Sequence, residues 1–244
     1  NVIGMNATES VKIPNLTIGV RVLVGPANIG STSLPGANVI SGNGASGVLV
    51  EKSASGVTIV GNRIGTDRIG IVGWGNEAEG VVLDGDGNTV GGPTAAHGNV
   101  ISGNGSSGIL IYGDGNAVLS NLIGLNAPGV GAMANDNGVD VRGAMNTIGA
   151  PGQGNTISGN DVAGVVIQDG EATGNVVQAN RIGTRPDGTT AARNFYSGVR
   201  IRLTSGNLIG GDGAGEGNVI AKNGSLGVSV ESGDGNAILG NSIW

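Results

Sequence analysis

Nine asparagines fix the register of this chain: Asn1, Asn38, Asn62, Asn99, Asn121, Asn155, Asn180, Asn218 and Asn241 each open an Asn-x-Ile unit. Self-similarity carried through a whole chain at a fixed period is the mark of a solenoid, in which each repeat buries its apolar face against its neighbours. Two further units fall between these. One is Gly followed by alternating apolar residues, as in Gly47-Val48-Leu49-Val50 and Gly108-Ile109-Leu110-Ile111, starting at Gly19, Gly47, Gly80, Gly108, Gly138, Gly164, Gly198 and Gly227. The other is read at Asn88, Asn116, Asn146, Asn175, Asn207 and Asn236, with Ala27 and Val57 in the same slot of the first two coils.

Each coil therefore predicts three strands of about four residues, alternating inward and outward, with Gly, Asn, Asp or Pro between them. Inward positions are the first and third residues after Gly and the second residue after Asn. Every one is Val, Ile or Leu, as Val48, Val50, Ile101, Val118 and Ile157 illustrate. The expectation is an all-β, right-handed parallel β-helix of about eight coils, and the right hand is the default for parallel crossovers. Asn1, Asn62, Asn121, Asn180 and Asn241 recur at about 60 residues, so the coils alternate in kind and form four double repeats. Residues 1–244 read as one solenoid domain, cut from a longer chain or a filament.

Composition narrows the function. The 244 residues include 51 glycines, which demands frequent turns, while 12% charged and 38% hydrophobic residues are too apolar a mixture for a disordered chain. With 2% aromatics, the core is built from small branched side chains and is narrow. The net charge of −6 and the absence of a Lys/Arg run argue against nucleic acid. No cysteine is present, which excludes disulfides and thiolate metal sites. No apolar run is long enough to insert in a membrane.

The runs Asn99-Val100-Ile101-Ser102-Gly103-Asn104, Asn88-Thr89-Val90-Gly91-Gly92 and Asn180-Arg181-Ile182-Gly183-Thr184 resemble the right-handed parallel β-helix repeats of bacterial secreted and cell-surface proteins, the pectin-lyase-like solenoids. The resemblance covers essentially the whole chain. It implies an extracellular or cell-surface location in a bacterium. Adhesins, structural surface proteins and polysaccharide-active enzymes all use such solenoids, so the fold leaves the function open.

The asparagine ladders read as structural, because a buried Asn in a turn bonds to backbone and to the Asn of the next coil. Asp-Gly pairs at Asp84, Asp86, Asp114 and Asp234 read as tight turns, with calcium the alternative. No other cofactor is indicated. Four long loops, Met5 to Ile18, Thr66 to Glu79, Leu125 to Asn137 and Thr184 to Ser197, project from one edge and hold Trp74, Phe195 and Tyr196. With Arg185 and Arg193 these make a candidate glycan-binding edge. His97 reads as a solvent-facing turn residue, and Thr does not recur in successive coils as ice binding requires.

Lyase, epimerase or hydrolase chemistry needs facing carboxylates, or a base beside a carboxylate-neutralising group. The outward strand residues read as small or neutral apart from Arg200 and Arg202 in a single coil, so no catalytic residue is assigned. The leading expectation is a non-enzymatic structural or adhesive solenoid that self-associates end to end, since Asn241-Ser242-Ile243 is in phase with Asn1-Val2-Ile3. The alternative is a polysaccharide-binding or polysaccharide-active β-helix working through the long-loop edge.

Overall fold

The computed structural model describes residues 1–32 and 37–244, and it is a parallel β-helix. Three sheets run the length of the solenoid, nine strands in one and eight in each of the others among the described residues. The Asn-x-Ile units form the first sheet, pairing in the order Val2–Ile3, Val39–Ile40, Arg63–Ile64, Val100–Ile101 and onward to Ser242–Ile243. The Gly units form the second, from Val20–Val22 to Leu226–Val230. The third runs from Asn28–Gly30 to Ala237–Leu239. All the strand pairings are parallel and in register, so like residues stack on like.

Stacking of like on like makes the core. Ile40, Ile64, Ile101, Ile123, Ile157, Ile182 and Ile220 form one continuous column, each fully buried. Columns from the second and third sheets face it, including Val48, Val81, Ile109 and Val139 from one and Ile59, Val90 and Val118 from the other. Burying each such side chain contributes roughly 1.5 to 3 kcal/mol, which lets a glycine-rich chain fold without aromatic residues in its core. In the coil that ends at Trp244 the inward residues Val230, Ile238 and Ile243 are exposed.

Strand lengths differ from the expected four. First-sheet strands are two residues long, whereas Ala163–Gln168 and Ser197–Arg202 in the second sheet reach six. The first sheet is short because side-chain ladders take over at both of its ends. One ladder runs through the nine register asparagines, with amide links of 2.7 Å from Asn1 to Asn38 and 2.8 Å from Asn99 to Asn121. Another, invisible to the simple spacing, links Asn15, Asn43, Asn76, Asn104, Asn135, Asn160, Asn194 and Asn223 at 2.7 to 3.1 Å. Asn88, Asn116, Asn146, Asn175, Asn207 and Asn236 form the third, partly through backbone N–H donors.

The second ladder explains the double period. Asn43 follows Asn38 by five residues, but Asn76 follows Asn62 by fourteen, because a hairpin is inserted there. Antiparallel bridges Met5–Lys12, Thr66–Gly73, Leu125–Ala132 and Thr184–Ala191 close these insertions, after which the chain rejoins the ladder. The Ser102 hydroxyl pins one hairpin base by donating to the Leu125 carbonyl at 2.8 Å while accepting from the Gly124 N–H at 3.1 Å. Gly124 sits at φ +85°, and a Cβ there would lie 2.2 Å from the Ser158 carbonyl oxygen, so no other residue fits.

Candidate active site

Outward residues of the second sheet fall into two rows that run along the solenoid axis. The first contains Leu110, Asp140, Val166 and Arg200 in strict register. The second is the residue just beyond each strand's last inward position: Glu51, Asp84, Tyr112, Arg142, Gln168, Arg202 and Glu231. Backbone bonds continue the pairing through this row, as from the Asp84 N–H to the Val50 carbonyl, Tyr112 to Leu83, Arg142 to Ile111 and Glu231 to Ile201. Gln168 pairs with Arg202. Neighbours along a row are therefore one coil, about 4.8 Å, apart.

The middle of this face is organised around Asp140, which is buried on an outward position. Its Oδ2 accepts from Arg142 Nη2 at 3.0 Å, and Gln168 Nε2 lies 3.0 Å from both carboxylate oxygens. Arg142 also lies over the Tyr112 ring, 5.4 Å from guanidinium carbon to centroid, and its Nε is 3.8 Å from Asp169 Oδ2. The hydrogen bond to Asp140 raises the arginine's pKa above its ordinary value, with Tyr112 and Asp169 adding to the effect against the cost of burial. A guanidinium held on one side by a carboxylate and on another by a phenol ring has few rotamers left. Its geometry is preorganised for a planar anion.

Charge is arranged on both flanks of this centre. On the N-terminal side Arg21 pairs with Glu51 at 2.6 Å, and the adjacent Asp84 has its pKa raised, first by burial and then by the Glu51 charge. On the C-terminal side Arg200 and Glu231 form a two-point pair at 2.5 and 3.1 Å, which raises the arginine's pKa and lowers the glutamate's. Arg202 Nε stands 4.0 Å from the same carboxylate. A carboxyl that retains its proton above the usual range, a phenol and an oriented guanidinium thus occupy three successive coils, at Asp84, Tyr112 and Arg142. Such a set can neutralise a carboxylate and exchange a proton beside it.

The expected glycan-binding edge is divided in the structure. Trp74 is half-buried against the base of its hairpin and lines a cavity of about 410 Å³ with Glu9, Arg68 and Val72. Arg193 and Phe195 line a different cavity of about 330 Å³ two double repeats away, where Arg193 lies 6.0 Å from the Phe195 ring centroid. Phe195 and Tyr196 meet edge to face at 4.9 Å and are both about half exposed. Arg185 lies in the turn of its hairpin, where its N–H bonds to the Thr190 carbonyl. At four coils of about 4.8 Å each, Trp74 is roughly 19 Å along the axis from the other aromatics. The structure therefore groups Arg193, Phe195 and Tyr196 and leaves Trp74 apart.

Asp-Gly turns serve the scaffold. Asp86 Oδ1 accepts the Asp114 N–H at 2.8 Å, and Asp114 Oδ1 accepts the Ala144 N–H at 2.6 Å, each carboxylate capping the next coil's turn. Among the described residues no group of three or more His, Cys, Asp or Glu is placed to hold a metal ion. His97 is half-buried in a turn of 3-10 helix, Ala95–His97, with Nδ1 2.8 Å from the Thr94 hydroxyl.

Solved structures of the periplasmic alginate epimerase AlgG share this architecture. One variant superimposes with a TM-score of 0.58 at 16% identity over 85% of this chain, and a double mutant with 0.50 at 18% over 93%. The fold is the right-handed parallel β-helix of the pectin-lyase type. This chain spans 44% and 42% of the length of those two solved chains. No family model matches it, and no curated protein matches it in sequence.

These findings correct two expectations. The expectation of a non-enzyme is withdrawn, because the solved structures reported above as sharing this fold are of an alginate epimerase. The outward faces are not small or neutral either, since the second sheet carries the two charged rows. Sequence reasoning missed Tyr112, Asp140, Arg142 and Gln168 because they are spread over three coils. A signal was nevertheless present. The fourth residue after each Gly of the second unit reads Glu51, Asp84, Tyr112, Arg142, Gln168, Arg202 and Glu231 in successive coils from Gly47 onward.

Proposed function

We propose that the protein is a polysaccharide-active β-helix whose substrate is a uronate-containing chain laid along the outer face of the second sheet. The observation that carries this reading is the Tyr112–Arg142–Asp140–Gln168 cluster, with Asp84 on the adjoining coil. Arg142 neutralises the uronate carboxylate, which lowers the cost of removing the proton on the neighbouring carbon. Tyr112, one coil away, is the group placed to exchange that proton, and Asp84 is the second acid on the same row. Return of a proton to the opposite face inverts the sugar. Loss of the 4-oxygen instead, with a C4–C5 double bond formed and the leaving oxygen protonated, cleaves the chain. The AlgG structures support the class by fold, and they make alginate the first polymer to test. Their periplasmic setting supports a secreted or cell-envelope location, and no described helix is long and apolar enough to cross a membrane.

The test is incubation with alginate and polygalacturonate in deuterium oxide, followed by NMR for C5 exchange and by absorbance of the unsaturated product. Arg142→Lys keeps the charge but loses the fork, and Tyr112→Phe removes the hydroxyl. Each is expected to lower turnover by about 100-fold or more, with the melting temperature held close to wild type. Exchange that survives both substitutions rules the cluster out as the active site.

A further inference from the structure

A second candidate site lies on a different face. The outer side of the first sheet is a trough of about 740 Å³ whose floor is the column Arg63, Val100, Leu122, Thr156, Arg181 and Val219. The inserted hairpins wall it on one side, with Ala127 and Pro186 at the rim. Turns that precede the first-sheet strands, around Gly98, Gly154 and Gly217, wall it on the other. The hairpins form a continuous wall, because the Ala127 N–H donates to the Gly70 carbonyl at 2.8 Å and Arg68 Nε to Glu9 at 2.9 Å.

Charge in this trough is one-sided. In a chain of net charge −6, no Asp or Glu lines it, and its ionised groups are Arg63 and Arg181. Neither guanidinium has a hydrogen bond or ion pair with any described residue, and Arg63 Nε is buried without a partner. Burial lowers the Arg63 pKa from its ordinary value, partly offset by the charge of Asp67. Asp67 does not hold the guanidinium, since no hydrogen bond or ion pair joins the two, and its Oδ1 accepts the Ile71 and Val72 N–H groups at 2.7 and 3.1 Å. The two arginines are four coils apart, about 19 Å, with an apolar and hydroxyl floor between them. A buried donor without a partner is costly in a folded chain, so Arg63 Nε, with the exposed and unpaired Arg181 in the same open trough, points to an external anion.

We propose that this trough binds a polyuronate chain lengthwise, Arg63 and Arg181 each taking a carboxylate while sugar rings lie on Val100, Leu122 and Thr156. The identity of the polymer rests on the reading of the second sheet, but the site is separate from it and lies across the hairpin wall. It holds the chain without reacting with it. A polymer engaged on two faces is retained between turnovers through a raised effective concentration.

Affinity electrophoresis in gels cast with sodium alginate, polygalacturonate or neutral dextran tests this directly, with a DNA oligonucleotide as competitor. Wild type is expected to be retarded by the two polyuronates and not by dextran. Arg63→Gln with Arg181→Gln should weaken retardation by about tenfold, and Arg181→Gln alone, at an exposed position, by about threefold. Arg63→Lys and Arg181→Lys should each restore part of it, which a packing defect would not allow. Retardation of the double variant equal to wild type overturns the proposal, as does the absence of wild-type retardation. Competition by DNA at equal charge concentration overturns the assignment to polyuronate. The second-sheet reading is judged by turnover of the Tyr112 and Arg142 variants, so either idea can fail alone.

Discussion

The outer faces of the first and second sheets rest on the same core and use the same coils, yet they treat charge in opposite ways. On the second sheet cations are tied to anions on the same or the next coil: Arg21 to Glu51 at 2.6 Å, Arg142 to Asp140 at 3.0 Å, Arg200 to Glu231 at 2.5 Å. On the first, Arg63 and Arg181 stand without partners in an acid-free trough. The inward side chains of both sheets are interchangeable Val, Ile and Leu, so the fold does not dictate this difference. Paired charges on the second sheet fix the direction in which each group points, as chemistry requires. Unpaired charges on the first are spare donors for something outside the chain.

The sharpest way to break this comparison is to remove one cation from each face. Arg142→Ala leaves Asp140 buried without its cation, and it should cost about 2 kcal/mol in denaturant unfolding. Adding Asp140→Asn to that variant should recover about half of the loss, because the buried charge is then gone. Arg181→Ala removes a guanidinium that binds nothing within the chain and should change stability by less than about 0.5 kcal/mol. Equal costs on the two faces would mean that Asp140 does not depend on Arg142, and the preorganised centre would lose its support.

The contrast also separates what the sequence makes legible from what it hides. Inward columns and the first ladder follow from a period that survives across the chain, and the long loops follow from interruptions in that period, while their hairpin form is seen only in the structure. Asn76, Asn135 and Asn194 are hidden in the sequence, because a hairpin separates each from its register asparagine and only the closed bridge restores the alignment. The cluster of Tyr112, Arg142 and Gln168 is non-local: its members are about 30 residues apart and meet only when coils stack. Residue type varies along that row, so no repeat announces it. Trp74 and Tyr196 stand out in the sequence as rare aromatics on long loops, whereas the structure sets them in separate places.

A smaller effect probes the ladder that borders the trough. Asn99 accepts from the Asn62 backbone N–H at 2.9 Å and donates to the Ile59 carbonyl at 2.8 Å and to Asn121 Oδ1 at 2.8 Å. Asn99→Ala strands these buried groups and should cost about 1 to 2 kcal/mol. Asn241→Ala, in the last coil where water reaches the freed groups, should cost a few tenths of that order, about 0.5 kcal/mol or less. Similar losses at both positions would show that the ladder acts through local turn geometry and not through buried hydrogen bonds.

The smallest expected effect distinguishes two carboxyls of the same row by their pH dependence. Asp84 has its pKa raised by burial and then by Glu51, so the folded state disfavours its ionised form. Its contribution to stability is fully present below the ordinary aspartate value of about 4 and is lost as pH rises through the raised value. Asp84→Asn should therefore match wild type at low pH and melt about 1 °C higher at pH 7, a gain kept small by the solvent around this partly exposed group. Glu231 behaves in the opposite sense. The hydrogen bond from Arg200 lowers its pKa, so its contribution is present above the ordinary glutamate value and is lost as pH falls through the depressed one. Glu231→Gln should lower the melting temperature at pH 7, and the difference should close in acid. If Asp84→Asn instead melts below wild type at neutral pH, the Asp84 carboxylate is holding a partner. It would then be unavailable as the second acid beside Tyr112.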